Sequence, residues 1–269
     1  MPVDLAAERE ERAWADAARL LRQSLAEFAD QERFTETLGA AAAVYWNDYY
    51  NTETLPLMSL SESERFLDWF IFDYQPADSD LRTIEMFRAE FGGELNSTEK
   101  TLLDHWIDAG PMSGYELTGY ERQTLFLKEV NSGTAIDVFE PAGHGNAPIG
   151  SWILGRLVPV NDRHEFFALP AFIPPEEITD LPEKLAAARQ ASDGQSATEF
   201  MRRHNVLLIH HALEQARLAG RPPVARLDPN HVPEGVPQRQ RHQRQRIKGP
   251  ATQPSESLPH MAQTRRKAI

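Results

Sequence analysis

The chain has 269 residues, no cysteine, and 28 Lys and Arg against 40 Asp and Glu, so its formal net charge is −12. Without cysteine it can form no disulfide scaffold, no cysteine-ligated zinc site and no thiol nucleophile. A mean hydropathy of −0.50 and the lack of an apolar run of about 20 residues exclude a transmembrane helix. The acidic first residues do not resemble a signal peptide. We therefore expect a cytoplasmic protein without a membrane partner.

The charge is distributed unevenly along the chain. Residues 1–220 contain 18 basic and 37 acidic side chains, a net charge of −19, whereas residues 221–269 contain 10 and 3, a net charge of +7. The second segment also holds 8 of the 19 prolines and no Phe, Trp or Tyr. Such a composition buries too little apolar surface to offset the entropy of ordering the chain. The sequence therefore predicts a disordered basic tail over 221–269.

The first 75 residues show a helical period. Apolar residues recur every three or four positions from Trp14 to Phe28 and again from Phe34 to Tyr49, which is typical of amphipathic helices. Ser61 and Glu64 have the spacing of a capping box, so we expect the aromatic segment 64–75 to be a central, buried helix and not a strand.

Two further helices are predicted before residue 111. Ser79 or Asp80 can cap the first, and Gly92-Gly93 can end it, since glycine can take the left-handed conformation. Asn96 with Glu99 predicts the start of the second, which would end at Gly110-Pro111.

After Pro111 the period changes from 3.6 to 2. Five strands are predicted, at 115–120, 124–130, 134–140, 151–160 and 164–172. Their length and spacing favour a small antiparallel barrel or a strongly coiled sheet. Residues 178–190 and 198–218 then return to a helical pattern.

Together these elements predict an α+β fold. We divide the chain into a helical domain at 1–110, a small antiparallel β-barrel-like domain at 111–175, C-terminal helices at 176–220 and the disordered basic tail at 221–269.

Two segments resemble a known family. The aromatic helix and the strand GSWILGRLVPV are similar to the WF-F-DY helix and the G-x-x-x-x-x-R-L-x-P strand of poorly characterised bacterial proteins associated with the SEC-C motif. The matching residues, within about 60–180, are Asp68, Trp69, Phe70, Phe72, Asp73, Tyr74, Gly150, Arg156, Leu157 and Pro159. Ser151 stands where the family pattern has Asp. The resemblance implies architecture and no defined activity, and its cysteine-rich zinc motif cannot form in this chain.

The last helix contains a candidate metal site. His210 and Glu214 are four residues apart and could hold one ion, with His204 and His211 as further ligands. This arrangement would suit a metal-dependent hydrolase. The alternative is that the three histidines lie at the polar boundary of an amphipathic helix.

Acid–base chemistry is a second hypothesis. Asp68 and Asp73 flank the aromatic helix and Asp104 precedes His105, so one carboxyl group could act as a general acid. Pairing of Asp68 and Asp73 with Arg65, Arg82 or Arg88 is the simpler interpretation. We assign no catalytic residue, and no cofactor, because the sequence has neither a nucleophile-elbow motif nor a phosphate-binding glycine loop.

The tail suggests a binding function. It places cationic side chains at nearly every second or third position, at Arg239, Arg241, Arg244, Arg246 and Lys248, and guanidinium groups suit phosphate. Nucleic acid or another polyanion is therefore a candidate partner; a tail without consequence is the alternative. The barrel aromatics Tyr115, Tyr120, Trp152, Phe166 and Phe167 could stack on bases or form its core.

From the sequence we expect a non-enzymatic binding or adaptor protein whose tail contacts nucleic acid or another polyanion. Two alternatives remain open: the metal-dependent hydrolase, and a regulatory module that binds a protein partner while its tail is passive.

Overall fold

The computed structural model describes residues 5–49, 59–141, 147–192 and 194–220. In these residues one curled sheet lies between helices that precede it and helices that follow it in the chain, so the predicted α+β class is confirmed. No helix in this part of the chain is both long and apolar enough to span a membrane.

In the described residues before the sheet there are five helices. The buried residues of the first repeat every three or four positions, which confirms the predicted amphipathic stripe; the N-terminal half of its span is exposed. The five helices are α1 (Leu5–Ala29), α2 (Thr35–Trp46), α3 (Leu60–Phe72), α4 (Thr83–Phe91) and α5 (Ser97–Ile107), with 3-10 turns at Glu32–Phe34 and Asn47–Tyr49.

The start of α3 differs from the prediction. The capping side chain is Ser59, whose Oγ accepts from the backbone N–H of Glu62 at 3.2 Å, and Ser61 lies inside the helix. The Glu62 carboxylate is fully buried and accepts from Trp46 Nε1 at 3.2 Å and from Arg65 Nη2 at 2.9 Å. The helix is nevertheless the buried, central one that the aromatic pattern predicts.

The limits of α4 are also corrected. The residue before its first turn is Arg82, not Ser79 or Asp80, and the Arg82 backbone N–H donates to Glu85 at 2.8 Å. Gly92 follows the helix with φ −56°, so it does not use the left-handed conformation. The capping box of Asn96 and Glu99 at the start of α5 is confirmed.

The described sheet has seven strands where five were predicted. Its order is β5-β6-β3-β2-β1-β4-β7, and it is mixed, because β3 runs parallel to β6 while the other pairs are antiparallel. It forms a curled half-barrel with β5 and β7 at its edges, which agrees with the predicted barrel-like or strongly coiled sheet. Only the all-antiparallel part of that prediction is wrong, because of the parallel β3–β6 pair. The strands are β1 (Ser113–Glu121), β2 (Thr124–Glu129), β3 (Ala135–Phe139), β4 (Trp152–Gly155), β5 (Leu157–Val160), β6 (Arg163–Phe166) and β7 (Ala171–Ile173).

Two predicted strands are interrupted because their middle residues have other roles. The segment 151–160 breaks at Arg156, whose side chain is buried; the strand before the break pairs with β1 and β7 and the strand after it with β6. The segment 164–172 breaks before Pro170, which has no N–H for a ladder bond.

The C-terminal helices are shorter than predicted. They are α6 (Pro175–Ile178), α7 (Leu181–Gln190), α8 (Ala197–His204) and α9 (Val206–Leu218). The first break falls at Thr179, which has φ +42°, and the second at Asn205, whose buried amide contacts α3.

One apolar core joins the helices to the sheet. It includes Leu21 of α1, Phe70 of α3, Leu154 of β4, Val158 of β5 and Leu213 of α9. A second cluster lies within the sheet and contains Tyr115 and Phe166. The predicted boundary at residue 110 falls between α5 and β1.

Candidate functional site

A buried arginine joins the two segments that carry the family resemblance. Arg156, between β4 and β5, is 1% exposed. Its Nε donates to Asp68 Oδ1 of α3 and its Nη2 donates to Asp73 Oδ2 just after α3, both at 2.6 Å. Its Nη1 donates to the Gly110 carbonyl at 2.6 Å. One guanidinium thus fixes the C-terminal half of the aromatic helix to the sheet.

Asp73 is held from several directions. Its Oδ2 also accepts from Asn205 Nδ2 at 2.7 Å and from the backbone N–H of Met112 at 3.0 Å. Asn205 in turn accepts from Trp69 Nε1 at 3.0 Å. We call Arg156, Asp68, Asp73 and Asn205 the Arg156 cluster.

Burial has different net effects on the pKa values of Arg156 and Asp68. Burial disfavours the charge of Arg156, but attraction to Asp73 and Asp68 outweighs that effect and raises the pKa of Arg156 above its ordinary value. For Asp68 burial dominates over Arg156 and raises its pKa to about 6. Asp68 therefore titrates closer to neutral pH than an ordinary aspartate.

The predicted partners of these two carboxylates are wrong. Both share Arg156, because Asp73 lies beyond the last residue of α3 and can turn toward the guanidinium that Asp68 also reaches. The three arginines named from the sequence bind elsewhere: Arg65 pairs with Glu62, Arg82 with Glu85 and Arg88 with Asp104.

An open cleft of about 480 Å³ lies next to Asp68. Its walls come from α1, α3, the end of β3 and the segment between β6 and β7. We call it the Asp68 cleft. Its apolar walls include Leu67, Ile71, Phe139, Phe167, Leu169 and Pro170, and its charged residues are Arg19, Arg22, Glu64, Asp68, Glu140 and Glu165.

Arg22 forms part of the wall of this cleft. Its Nε donates to the Phe167 carbonyl at 3.1 Å, and its Nη2 lies 3.3 Å from Glu165 Oε2. The guanidinium also lies over the rings of Trp106 and Phe167, 5.2 and 5.7 Å from their centroids. Burial lowers the pKa of Arg22, and Glu165 opposes this. Arg22 is thus fixed on the β6–β7 segment.

Asp68 has one carboxylate oxygen left over. While Oδ1 binds Arg156, Oδ2 is buried and has no hydrogen-bond partner in the described part of the chain. A buried acceptor without a donor costs about 1–3 kcal/mol. A ligand that donates a hydrogen bond to this oxygen would remove that cost. Since Asp68 lines an open cleft, Oδ2 is a candidate ligand contact.

A second cavity of about 510 Å³ lies between α5, β1, β5 and α8. Glu129 in its wall accepts from Ser113 Oγ and from the backbone N–H groups of Asn131 and Ser132. Burial raises the pKa of neighbouring Tyr115. The carboxylate here is already satisfied, which distinguishes this cavity from the Asp68 cleft.

The predicted metal ligands have separate partners. His204 Nε2 lies 3.1 Å from Ser192 Oγ, His210 Nε2 lies 3.1 Å from the Val44 and Tyr45 carbonyls, and His211 Nε2 lies 2.8 Å from the Glu177 carbonyl. Among the described residues no group of three or more His, Asp or Glu side chains could hold a metal ion.

Glu214, the fourth predicted ligand, is also engaged. It accepts from Tyr49 Oη at 3.0 Å and from Arg217 Nε at 2.8 Å. These bonds, that of Arg217 first, lower its pKa to about 2. The structure does not bring His204, His210, His211 and Glu214 together.

The other sequence candidates divide in two groups. The predicted polyanion contacts Arg239, Arg241, Arg244, Arg246 and Lys248 lie outside the described residues. Of the aromatics, Tyr115 and Phe166 are buried in the sheet core, which supports the core interpretation for them, whereas Tyr120 is 44% exposed.

No motif in the sequence indicates that the residues of the Asp68 cleft form a site. Arg22 and Glu165 lie 143 residues apart, and no local spacing connects them. The sequence pattern predicts Phe167 within a continuous strand, whereas in the structure Phe167 follows the end of β6 and begins the segment that forms one wall of the cleft.

Comparison with protein-family models, with curated proteins and with solved structures gives no match. The resemblance to the SEC-C-associated family therefore stays a prediction.

Proposed function

We propose that this protein is a non-enzymatic binding or adaptor protein whose folded region takes a small, mainly apolar ligand in the Asp68 cleft. One observation carries the proposal: a carboxylate that is 1% exposed, with one oxygen unpartnered among the described residues, lines an open cleft. Ligand sites commonly have about 300–1,000 Å³, mostly apolar walls and few polar groups. At about 480 Å³ the cleft falls in this range.

Protein-observed NMR with neutral aromatic probes tests this proposal. We expect 2-phenylethanol, indole and 2-naphthol to shift resonances of residues that line the cleft. Ala26→Trp, in the cleft wall on α1, should weaken these shifts by filling space. Ala13→Trp, an exposed position of the same helix, is the matched control and should leave them unchanged. Shifts absent for all three probes, or equal in both variants, would overturn the proposal.

The charge distribution favours a second function. We propose that nucleic acid or another polyanion is bound by Arg239, Arg241, Arg244, Arg246 and Lys248. These five cationic side chains lie within ten residues, in the segment 221–269 of net charge +7. We also propose, from the sequence alone, that the protein is cytoplasmic.

Binding of RNA and DNA by the full chain at two salt concentrations tests the second function. Replacing the five cationic residues with Gln should weaken binding and reduce the slope of log K against log salt by up to about 4 for duplex DNA. Replacing Arg265, Arg266 and Lys267 serves as the comparison. If the five-residue variant binds like the wild type, the tail is passive and a protein partner of the acidic region becomes the better proposal.

A further inference from the structure

The unpartnered oxygen of Asp68 defines what a ligand must offer. The three guanidinium nitrogens of Arg156 donate to Asp68 Oδ1, Asp73 Oδ2 and the Gly110 carbonyl. Asp68 Oδ2 therefore accepts no hydrogen bond from Arg156. An ionised carboxylate oxygen is only an acceptor. The group that completes this site is therefore a hydrogen-bond donor.

The charges around the cleft favour a cationic donor. Four carboxylates and two guanidinium groups line it. Arg22 pairs with Glu165, and Asp68 pairs with Arg156, so the charges in these two pairs largely offset each other. The carboxylates Glu64 and Glu140 add negative charge at the walls. An anionic ligand would meet like charge here, and a cation would meet opposite charge.

The remaining walls are apolar. Leu67 and Ile71 of α3 face the cleft together with Phe167, Leu169 and Pro170 of the β6–β7 segment. Each square ångström of apolar ligand surface removed from water contributes about 25 cal/mol. The cleft therefore suits a molecule with a hydrocarbon or aromatic body next to its charged group.

Resting on the ligand-binding function proposed above, we propose that the Asp68 cleft binds a small organic amine with an apolar body, whose ammonium N–H donates to Asp68 Oδ2. Because Oδ2 is shielded from solvent, the ammonium reaches it by displacing a neighbouring wall side chain. The resulting charge-assisted bond forms away from water, where it is strong.

Three probes of similar shape test the proposal: 2-phenylethylamine, 2-phenylethanol and 3-phenylpropionate. We expect the amine to bind the full-length protein about tenfold or more tightly than the alcohol, which corresponds to about 1.4 kcal/mol, and the carboxylate to bind most weakly. Asp68→Asn keeps the shape and removes the charge, so it should abolish the preference for the amine. Asp104→Asn, which alters an exposed ion pair of α5, should preserve it.

A second measurement does not depend on the folding of the Asp68→Asn variant. The amine stays protonated near pH 5 and near pH 8, while Asp68 has a pKa of about 6. The charged groups facing Asp68 are Arg156, Asp73 and Arg22, with Glu64 and Glu165 on the cleft walls. Preference of the wild type for the amine over the alcohol should therefore be larger near pH 8.

The outcomes separate this inference from the function on which it rests. Equal binding of the amine and the alcohol in the cleft near pH 8, where Asp68 is ionised, would overturn amine recognition and leave the ligand-binding function standing. If the amine and all three neutral probes, 2-phenylethanol, indole and 2-naphthol, fail to shift the cleft resonances, both proposals fail.

Discussion

Arg156 and Asp73 form a buried ion pair with Nη2 and Oδ2 2.6 Å apart, across 83 residues of sequence. The pair connects the end of α3 to the break between β4 and β5. Since the same guanidinium also binds Asp68, it carries one positive charge against two buried carboxylates. The stability of the fold and the chemistry of the cleft therefore depend on the same cluster.

Replacing Arg156 with Leu should destabilise the protein strongly. The variant leaves Asp68 and Asp73 buried without a cation, and breaking a buried pair in this way costs about 3–5 kcal/mol. Urea unfolding monitored by tryptophan fluorescence gives the difference.

The matched control for that variant is Arg88→Leu, because Arg88 pairs with Asp104 at the surface and both side chains are about half exposed. Exposed pairs contribute about 1 kcal/mol or less. Equal losses in the two variants would contradict the role given to Arg156.

The free energy of unfolding should depend on the pH through Asp68. Its pKa is about 6 in the folded protein against an ordinary value of 3.8, so the folded state binds the proton more tightly. Stability from this group is complete below pH 3.8 and is lost as the pH rises to about 6, by about 3 kcal/mol in total.

Chemical denaturation of the wild type and Asp68→Asn across this pH range isolates the effect, since other groups contribute equally to both. The wild type should lose stability relative to the variant between pH 4 and pH 6. A difference that stays constant over this range would show that Asp68 has an ordinary pKa.

Local sequence patterns predict much of the secondary structure. The helical stripe of α1 and the capping box of Asn96 and Glu99 were predictable because each depends on residues within a few positions. The aromatic segment of α3 was placed correctly as a buried helix, although its cap lies at Ser59 and not Ser61.

The Arg156 cluster is much harder to predict from the sequence. Arg156 lies in the strand motif and the two aspartates lie in the helix motif, but their separation in the sequence does not indicate that they meet. The break at Asn205 was hidden for a similar reason: its amide side chain contacts Asp73, 132 residues away, while its neighbours follow an uninterrupted helical pattern. Both the Arg156 cluster and the helix break at Asn205 depend on contacts between residues that are far apart in the sequence.

Added Zn²⁺ or Mn²⁺ should leave the Tm of metal-free protein unchanged. An ion bound to the folded state alone would raise the Tm, but His210 and His211 contact main-chain carbonyls of other segments. Differential scanning fluorimetry after chelator treatment measures this. A saturable rise that disappears in His211→Ala would instead support the metal-dependent hydrolase predicted from the sequence.

Asn205→Ala should destabilise the protein by more than a surface amide substitution. The variant leaves the buried Trp69 Nε1 without its acceptor, which costs about 1–3 kcal/mol. It also removes one donor to Asp73 Oδ2, which keeps those from Arg156 and Met112. Asn205→Asp should cost more than Asn205→Ala, because it places a second carboxylate against Asp73 in a buried site. Gln23→Ala, which loses only an exposed bond to Glu27, is the control and should stay within about 0.5 kcal/mol of the wild type. Urea unfolding of the four proteins decides the matter: if Asn205→Asp is as stable as the wild type, the amide of Asn205 does not hold Asp73 in place.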